Sequence, residues 1–190
     1  MVSLMSTHTK QIDEAELAQL AATDTDAFAE LYRQNVTRVY RYHMAHTGNV
    51  KDAEDLTSQT FMAALEGIRS YRGSGSFAAW IMGIAVKKRY MHFRGNRYEV
   101  PLEDALQYPS SSLPTDKAAM QRLRLASIAH ALRQISSDRA EAIILVYFGG
   151  LSNTEAANVM KKSESSVKML VSRGLQDLRE RTSLRMEVEE

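Results

Sequence analysis

The sequence predicts an all-α protein, two small helical domains joined by a flexible linker, with a helix-turn-helix in the second. Three observations lead there. Apolar residues recur at spacings of three and four along most of the chain, the period of a helix with one buried face. Only three prolines and nine glycines punctuate 190 residues. The period lapses for one long stretch, GNRYEVPLEDALQYPSSSLP over residues 95–114, whose prolines and serine run mark a linker. The predicted organisation is an N-terminal extension (1–23), a first domain (24–95), the linker (96–114) and a second domain (115–190).

Composition narrows the function classes. With 24 Lys and Arg against 23 Asp and Glu, the net charge is +1. That balance excludes a uniformly basic nucleic-acid coat protein, so any nucleic-acid binding must be local. The absence of cysteine excludes disulfides, thiolate metal sites and thiol catalysis. The opening MVSLMSTHTKQ lacks the apolar core of a signal peptide, and no run is long enough to span a bilayer. A cytoplasmic protein with no membrane insertion is expected.

A short acidic helix is expected over Glu14 to Ala22, capped by Asp13, with Leu17 and Leu20 packing inward. A stronger one starts at Asp24, turns Phe28, Leu31, Tyr32, Val36, Val39 and Tyr40 inward and stops at Gly48. His43 and His46 within it are three apart with no third ligand nearby, a pattern that favours a solvated face over a metal site. Asn49 then caps a helix whose first turn holds Asp52, Glu54 and Asp55, favourable to the helix dipole. Leu56, Phe61, Met62 and Leu65 supply its apolar side. The acidic turn reads either as dipole compensation or as a surface for a basic partner.

The loop from Arg69 to Ser76 follows, too short and lacking the lysine of a phosphate-binding P-loop. Ser76 caps a central helix running to about Arg94, with Phe77, Trp80, Ile81 and Ile84 as its core stripe. From Arg69 to Arg97 there are seven cationic residues and no Asp or Glu. Tyr71, Tyr90 and Phe93 are interleaved with them. Cations neutralise phosphates and aromatic rings stack on unpaired bases, so this basic end is a candidate nucleic-acid surface. Lys87, Tyr90 and Arg94 share one stripe with Gly83 and form its DNA-facing edge, while Tyr71 and Arg72 belong to the loop before it.

Beyond the linker, Thr115 is expected to cap a helix carrying Met120, Leu123, Ile128, Leu132 and Ile135. Another opens at Ser137 and ends at Gly149 and Gly150. Ser152 and Glu155 then form an S-x-x-E capping box at the start of a short helix. The turn from Lys161 to Ser163 leads to a longer helix with Val167, Leu170, Val171, Leu175 and Leu178 inward. A short helix, a tight turn and a longer helix make the helix-turn-helix pattern, whose second helix enters the major groove. Ser165, Ser166, Lys168, Met169, Ser172 and Arg173 are its outward positions. Gly174 lies inward and allows a close helix approach.

The segments AFAELYRQNVTRVYRY, DAEDLTSQTF, RSYRGSGSFAAWIMGIA and VYFGGLSNTEAANVMKKSESSVKMLVSRGLQDLRE, in this order, resemble the bacterial RNA polymerase sigma factors of the extracytoplasmic-function type (group 4 of the sigma-70 family). The resemblance implies that Asp52, Asp55 and Gln59 dock on core RNA polymerase and that Tyr71 and Arg72 lie at the pocket for a flipped base of the minus-ten element. The central helix would hold the melted strand, and the second helix of the C-terminal motif would read the minus-thirty-five element of promoter DNA. It also implies control by an anti-sigma factor, no cofactor and no catalysis. The chain departs from the family pattern at Thr60, Lys87, Met91, Met169 and Leu170. A competing reading is a stand-alone regulator, because the C-terminal motif also resembles that of LuxR-type proteins. An enzyme is the weakest reading, with no metal-spaced His cluster and no nucleophile, base and acid in recognisable order.

Overall fold

The computed structural model describes residues 14–95 and 116–188, and its described residues hold helices and turns with no strand. The expected linker and the proposed caps Asp13 and Thr115 lie outside the described residues.

The first helical body comprises α1 (Glu14–Leu20), α2 (Thr25–Thr47), α3 (Val50–Gly67), one 3-10 turn (Ile68–Ser70) and α4 (Phe77–Gly95). Its ends follow local chemistry. Asp24 caps α2 by accepting from the backbone N–H groups of Asp26 (2.8 Å) and Ala27 (3.4 Å). Gly48 closes that helix at φ +66°, the left-handed conformation glycine adopts without strain. Asn49 accepts from the Asp52 N–H at 3.1 Å and starts α3.

Phe28, Leu31, Val39 and Tyr42 form the buried face of α2, and Phe77, Ile81, Met82 and Ala85 that of α4. Each fully buried large side chain contributes about 1.5–3 kcal/mol relative to exposure. The buried face of α3 is made largely of small residues, Ala53, Thr57, Thr60 and Ala64, with Leu56 and Phe61. Small side chains bring α3 close to α2, and the larger Met62 and Leu65 fall outside that seam. Both are exposed, as is Tyr32 on α2, contrary to the inward placement expected for them.

The second body comprises α5 (Asp116–Leu132), α6 (Ser137–Ile143), a π-helical turn (Ile144–Phe148), α7 (Asn153–Met160) and α8 (Glu164–Val188). The π turn was not legible as such in the sequence. It is closed by the Gly149 N–H donating to the Ile144 carbonyl at 2.9 Å, one residue wider than an α-helical bond. Helices α6 and α8 pack closely at Gly174. A Cβ there would stand 2.7 Å from Ile143 Cδ1 and 3.1 Å from Arg139 Cβ, so glycine is what the approach admits. An ion pair between Arg139 and Asp177 fastens the same two helices.

The two bodies pack on each other. Helix α2 meets α5 and the π turn, α4 meets α7, and the apolar core runs without a break from Leu31 and Phe77 to Leu145 and Val167.

Candidate nucleic-acid interface

The acidic helix presents its candidate residues outward. Asp55 and Gln59 are exposed and Asp52 is half-exposed, on the side of α3 turned away from the buried Ala53, Thr57 and Phe61. Met62, 63% exposed, extends that stripe by one turn and adds an apolar element which the sequence pattern had assigned to the core. Thr60 lies on the other side, fully buried, with its hydroxyl 3.0 Å from His43 Nε2. That is the physical reason a charged residue does not fit there.

The loop after α3 is shaped by Tyr71. Its hydroxyl donates to the Gly75 carbonyl at 2.7 Å, and its ring packs on Phe77 and Trp80 with centroids 5.8 and 5.5 Å away. Tyr71 is only 9% exposed, so it serves as the inner wall of the loop and offers no open ring for stacking. This corrects the expectation that its ring faces a base. Arg72 is exposed beside it, and Gly73 and Gly75 turn the chain at φ +70° and +96°. Ser76 accepts from the Ala79 N–H at 3.1 Å and so starts α4.

Along α4, Lys87, Tyr90 and Arg94 are all exposed, Tyr90 by 61%, with Met91 and Phe93 also exposed nearby. Arg89, part of the same basic run, is turned away from this edge. Its Nη2 lies 2.9 Å from Glu141 Oε2 and its Nε donates to the Tyr42 hydroxyl at 3.1 Å. The cationic edge is therefore narrower than the sequence count suggests.

In the second body the capping box is complete. The Glu155 N–H donates to Ser152 Oγ at 3.2 Å, and the Ser152 N–H donates to Glu155 Oε2 at 2.8 Å. Lys161 takes the left-handed conformation at φ +54° and closes α7. Ser163 then accepts from the Ser166 N–H at 3.2 Å as α8 begins, and Thr154 donates to Glu164 at 2.8 Å, tying the two helices of the motif together. Ser165, Lys168, Met169, Ser172 and Arg173 are exposed, and Ser166 is half-buried against Ser163. Lys168 pairs with Glu164 at 2.6 Å, one helical turn away. That contact, with the one from Thr154, holds the Glu164 carboxyl below its usual range. A shallow groove lined by Asn153, Lys168, Ser172 and Arg179 runs between the motif's helices. Neither Asn153 nor Arg179 was singled out from sequence: the crossing of α7 over α8 brings Asn153 beside Lys168, whereas Arg179 follows Lys168 and Ser172 on the same stripe of α8.

His43 and His46 occupy neither of the places considered for them. His43 is fully buried in α2, and burial with the neighbouring His46 and Arg89 charges lowers its pKa to about 3. His46 is buried too, its Nε2 3.3 Å from Glu141 Oε2 but out of line for a hydrogen bond. Burial lowers its pKa in spite of Glu141.

An exposed cationic and aromatic helix edge on one body, and a helix-turn-helix on the other, define a helical nucleic-acid-binding protein. Two family models match the chain, Sigma-70 region 2 over residues 31–98 and Sigma-70, region 4 over residues 125–178. The ECF RNA polymerase sigma factor BldN of Streptomyces coelicolor is 33% identical over 173 residues, 87% of this chain and 66% of that protein. The chain thus spans about two thirds of that relative's length. Among solved structures, CnrH in complex with the cytosolic domain of CnrY superposes with a TM-score of 0.71 at 22% identity, covering 93% of this chain and 99% of that one. The sigma factor RpoE in complex with the anti-sigma factor NepR from Bartonella quintana gives 0.63 at 24% identity, covering 80% and 94%. Both structures share the fold. The chain belongs to the extracytoplasmic-function sigma factors of the sigma-70 family.

Proposed function

We propose that this protein is a promoter-specificity subunit that brings core RNA polymerase to promoter DNA and opens the duplex for initiation. What supports this reading is the pairing, on one chain, of an exposed cationic and aromatic edge on α4 with a helix-turn-helix. The edge of Lys87, Tyr90 and Arg94 suits an unpaired strand, because it offers phosphate-neutralising cations beside an open aromatic face. The start of α8 suits duplex DNA, because Ser165, Lys168, Met169, Ser172 and Arg173 project from the end of a helix that fits the major groove.

In this reading Asp52, Asp55 and Gln59 dock on the polymerase, with Met62 as an apolar contact at the end of the same stripe. Arg72 and the glycine loop receive a displaced base of the minus-ten element, against the wall that Tyr71 builds. Ser166 positions the start of α8 through Ser163. The protein performs no covalent chemistry and acts in the cytoplasm. Among the described residues no helix is long and apolar enough to cross a membrane. RpoE was solved with an anti-sigma factor, and we extend that kind of control to this chain.

Permanganate reactivity of thymines in a duplex promoter tests the reading. Reactive thymines upstream of the start site are expected only when core polymerase and this protein are both present. Duplex binding by the protein alone, with no melting and no association with the polymerase, would favour the stand-alone regulator.

A further inference from the structure

Helix α8 begins with polar side chains that bond to one another. Lys168 Nζ lies 2.6 Å from Glu164 Oε1, and Thr154 donates to the same carboxylate at 2.8 Å. Ser163 Oγ lies 3.1 Å from Ser165 Oγ and 2.8 Å from Ser166 Oγ. Amid them Met169 is 48% exposed, the one large apolar side chain so exposed among the described residues of α8. The packing of the helix does not use it. Val167 is buried, and Leu170, Val171 and Leu175 pack against the core from the other side.

Ser165, Met169 and Arg173, each four residues after the last, share one exposed stripe of α8. Eight residues of helix rise about 12 Å at about 1.5 Å per residue. At about 3.4 Å per base pair, that length of groove holds roughly three to four pairs, and Met169 faces the middle of them.

The major groove offers hydrogen-bonding atoms at every base and one apolar group, the C5 methyl of thymine. A thioether set against the N4 amino group of cytosine, or against O6 and N7 of guanine, strips water from those atoms and returns no comparable hydrogen bond. Against a thymine methyl the same side chain removes apolar surface from water on both partners. The unbranched, flexible methionine can reach such a methyl without any movement of the helix.

We propose that Met169 is a specificity-determining residue that contacts the 5-methyl group of one thymine, at the centre of the duplex element read by α8. This rests on the promoter-specificity reading and names the base that the middle of the recognition stripe selects. Ser165 and Arg173 then face the pairs on either side, where their polar groups can bond to base edges or phosphates.

Short duplexes with a randomised centre, selected by the full-length protein with core polymerase and without it, supply the probe. Each thymine of an enriched duplex is then replaced by deoxyuridine, which keeps the pairing edge and O4 and removes only the methyl. Fluorescence anisotropy is expected to show one position at which the replacement weakens binding about fourfold, the effect of one methyl group returned to water. In Met169→Ala the same replacement should change nothing. Met169→Leu, which keeps an apolar side chain of similar size, should retain the dependence, and circular dichroism should report unchanged helix content for both variants. Deoxyuridine that weakens the native protein and Met169→Ala alike, or that the native protein tolerates at every position, would overturn the contact. Enrichment of no duplex under either condition would overturn it too. If enriched duplexes show the methyl dependence but are neither bound more tightly nor transcribed when core polymerase is added, the contact stands and the promoter-specificity reading fails.

Discussion

His43 Nε2 lies 3.0 Å from Thr60 Oγ1, and the Thr60 hydroxyl already donates its one proton to the Leu56 carbonyl at 2.7 Å. The imidazole must therefore carry its proton on Nε2 and donate it to threonine. Nδ1 is left bare and buried with no hydrogen-bond partner. A second proton on that ring would place a charge in the core, which is why burial lowers the His43 pKa to about 3.

The consequence for stability has a definite sign. An unfolded histidine takes up a proton near its ordinary value of about 6.5, whereas folded His43 takes one up only near 3. Stability from this group is fully present above about pH 6.5 and is lost progressively as pH falls. His46, also lowered by burial, adds to the same slope. Thermal melts between pH 7.5 and 5 should show a falling Tm in the native protein and a shallower fall in His43→Gln. Equal slopes would contradict this account. Thr60→Val should cost about 1–3 kcal/mol at pH 7.5, because it leaves a buried N–H without an acceptor.

Gly149 is tested by a single methyl. A Cβ at this position would stand 2.7 Å from the Leu145 carbonyl oxygen, which is backbone and has nowhere to move. Gly149→Ala is expected to destabilise by about 1–3 kcal/mol, the range for an overpacked core. Urea denaturation checks it, and an unchanged midpoint would show that the π turn relaxes freely.

Lys168→Ala should weaken binding to promoter duplex by about 1–3 kcal/mol while leaving association with core polymerase intact. Fluorescence anisotropy with a labelled duplex at several salt concentrations measures it. Unchanged affinity throughout would remove α8 from its assigned role.

Asp55→Ala should do the reverse. Its side chain is exposed on α3, remote in function from the helix-turn-helix, so duplex binding by the free protein should be preserved and polymerase association weakened. Co-elution of labelled protein with core polymerase reads the difference.

How far the sequence alone reached depends on the range of each interaction. Gly48, Asn49 and the pair Ser152 and Glu155 act within a turn of their own helix and bound the helices they were expected to bound, whereas Asp24, expected as the first residue of α2, is its cap. Gly174 was legible because a glycine amid an inward apolar stripe needs a close neighbour to justify it. Tyr71 and Arg89 were misjudged in character because their partners are tertiary. An aromatic ring or a cation in a basic run looks available until Trp80 or Glu141 is placed beside it. Met62 and Leu65 were expected inward because they are large and apolar, yet the tight seam between α2 and α3 selects small residues instead.

The most direct test of the promoter-specificity reading is transcription from a pool of bacterial promoter fragments by purified core polymerase, with and without this protein. Discrete start sites that appear only on its addition, sharing sequence upstream at both elements, are the predicted result. An unchanged transcript pattern, from protein shown to be folded and to bind duplex DNA, would contradict it.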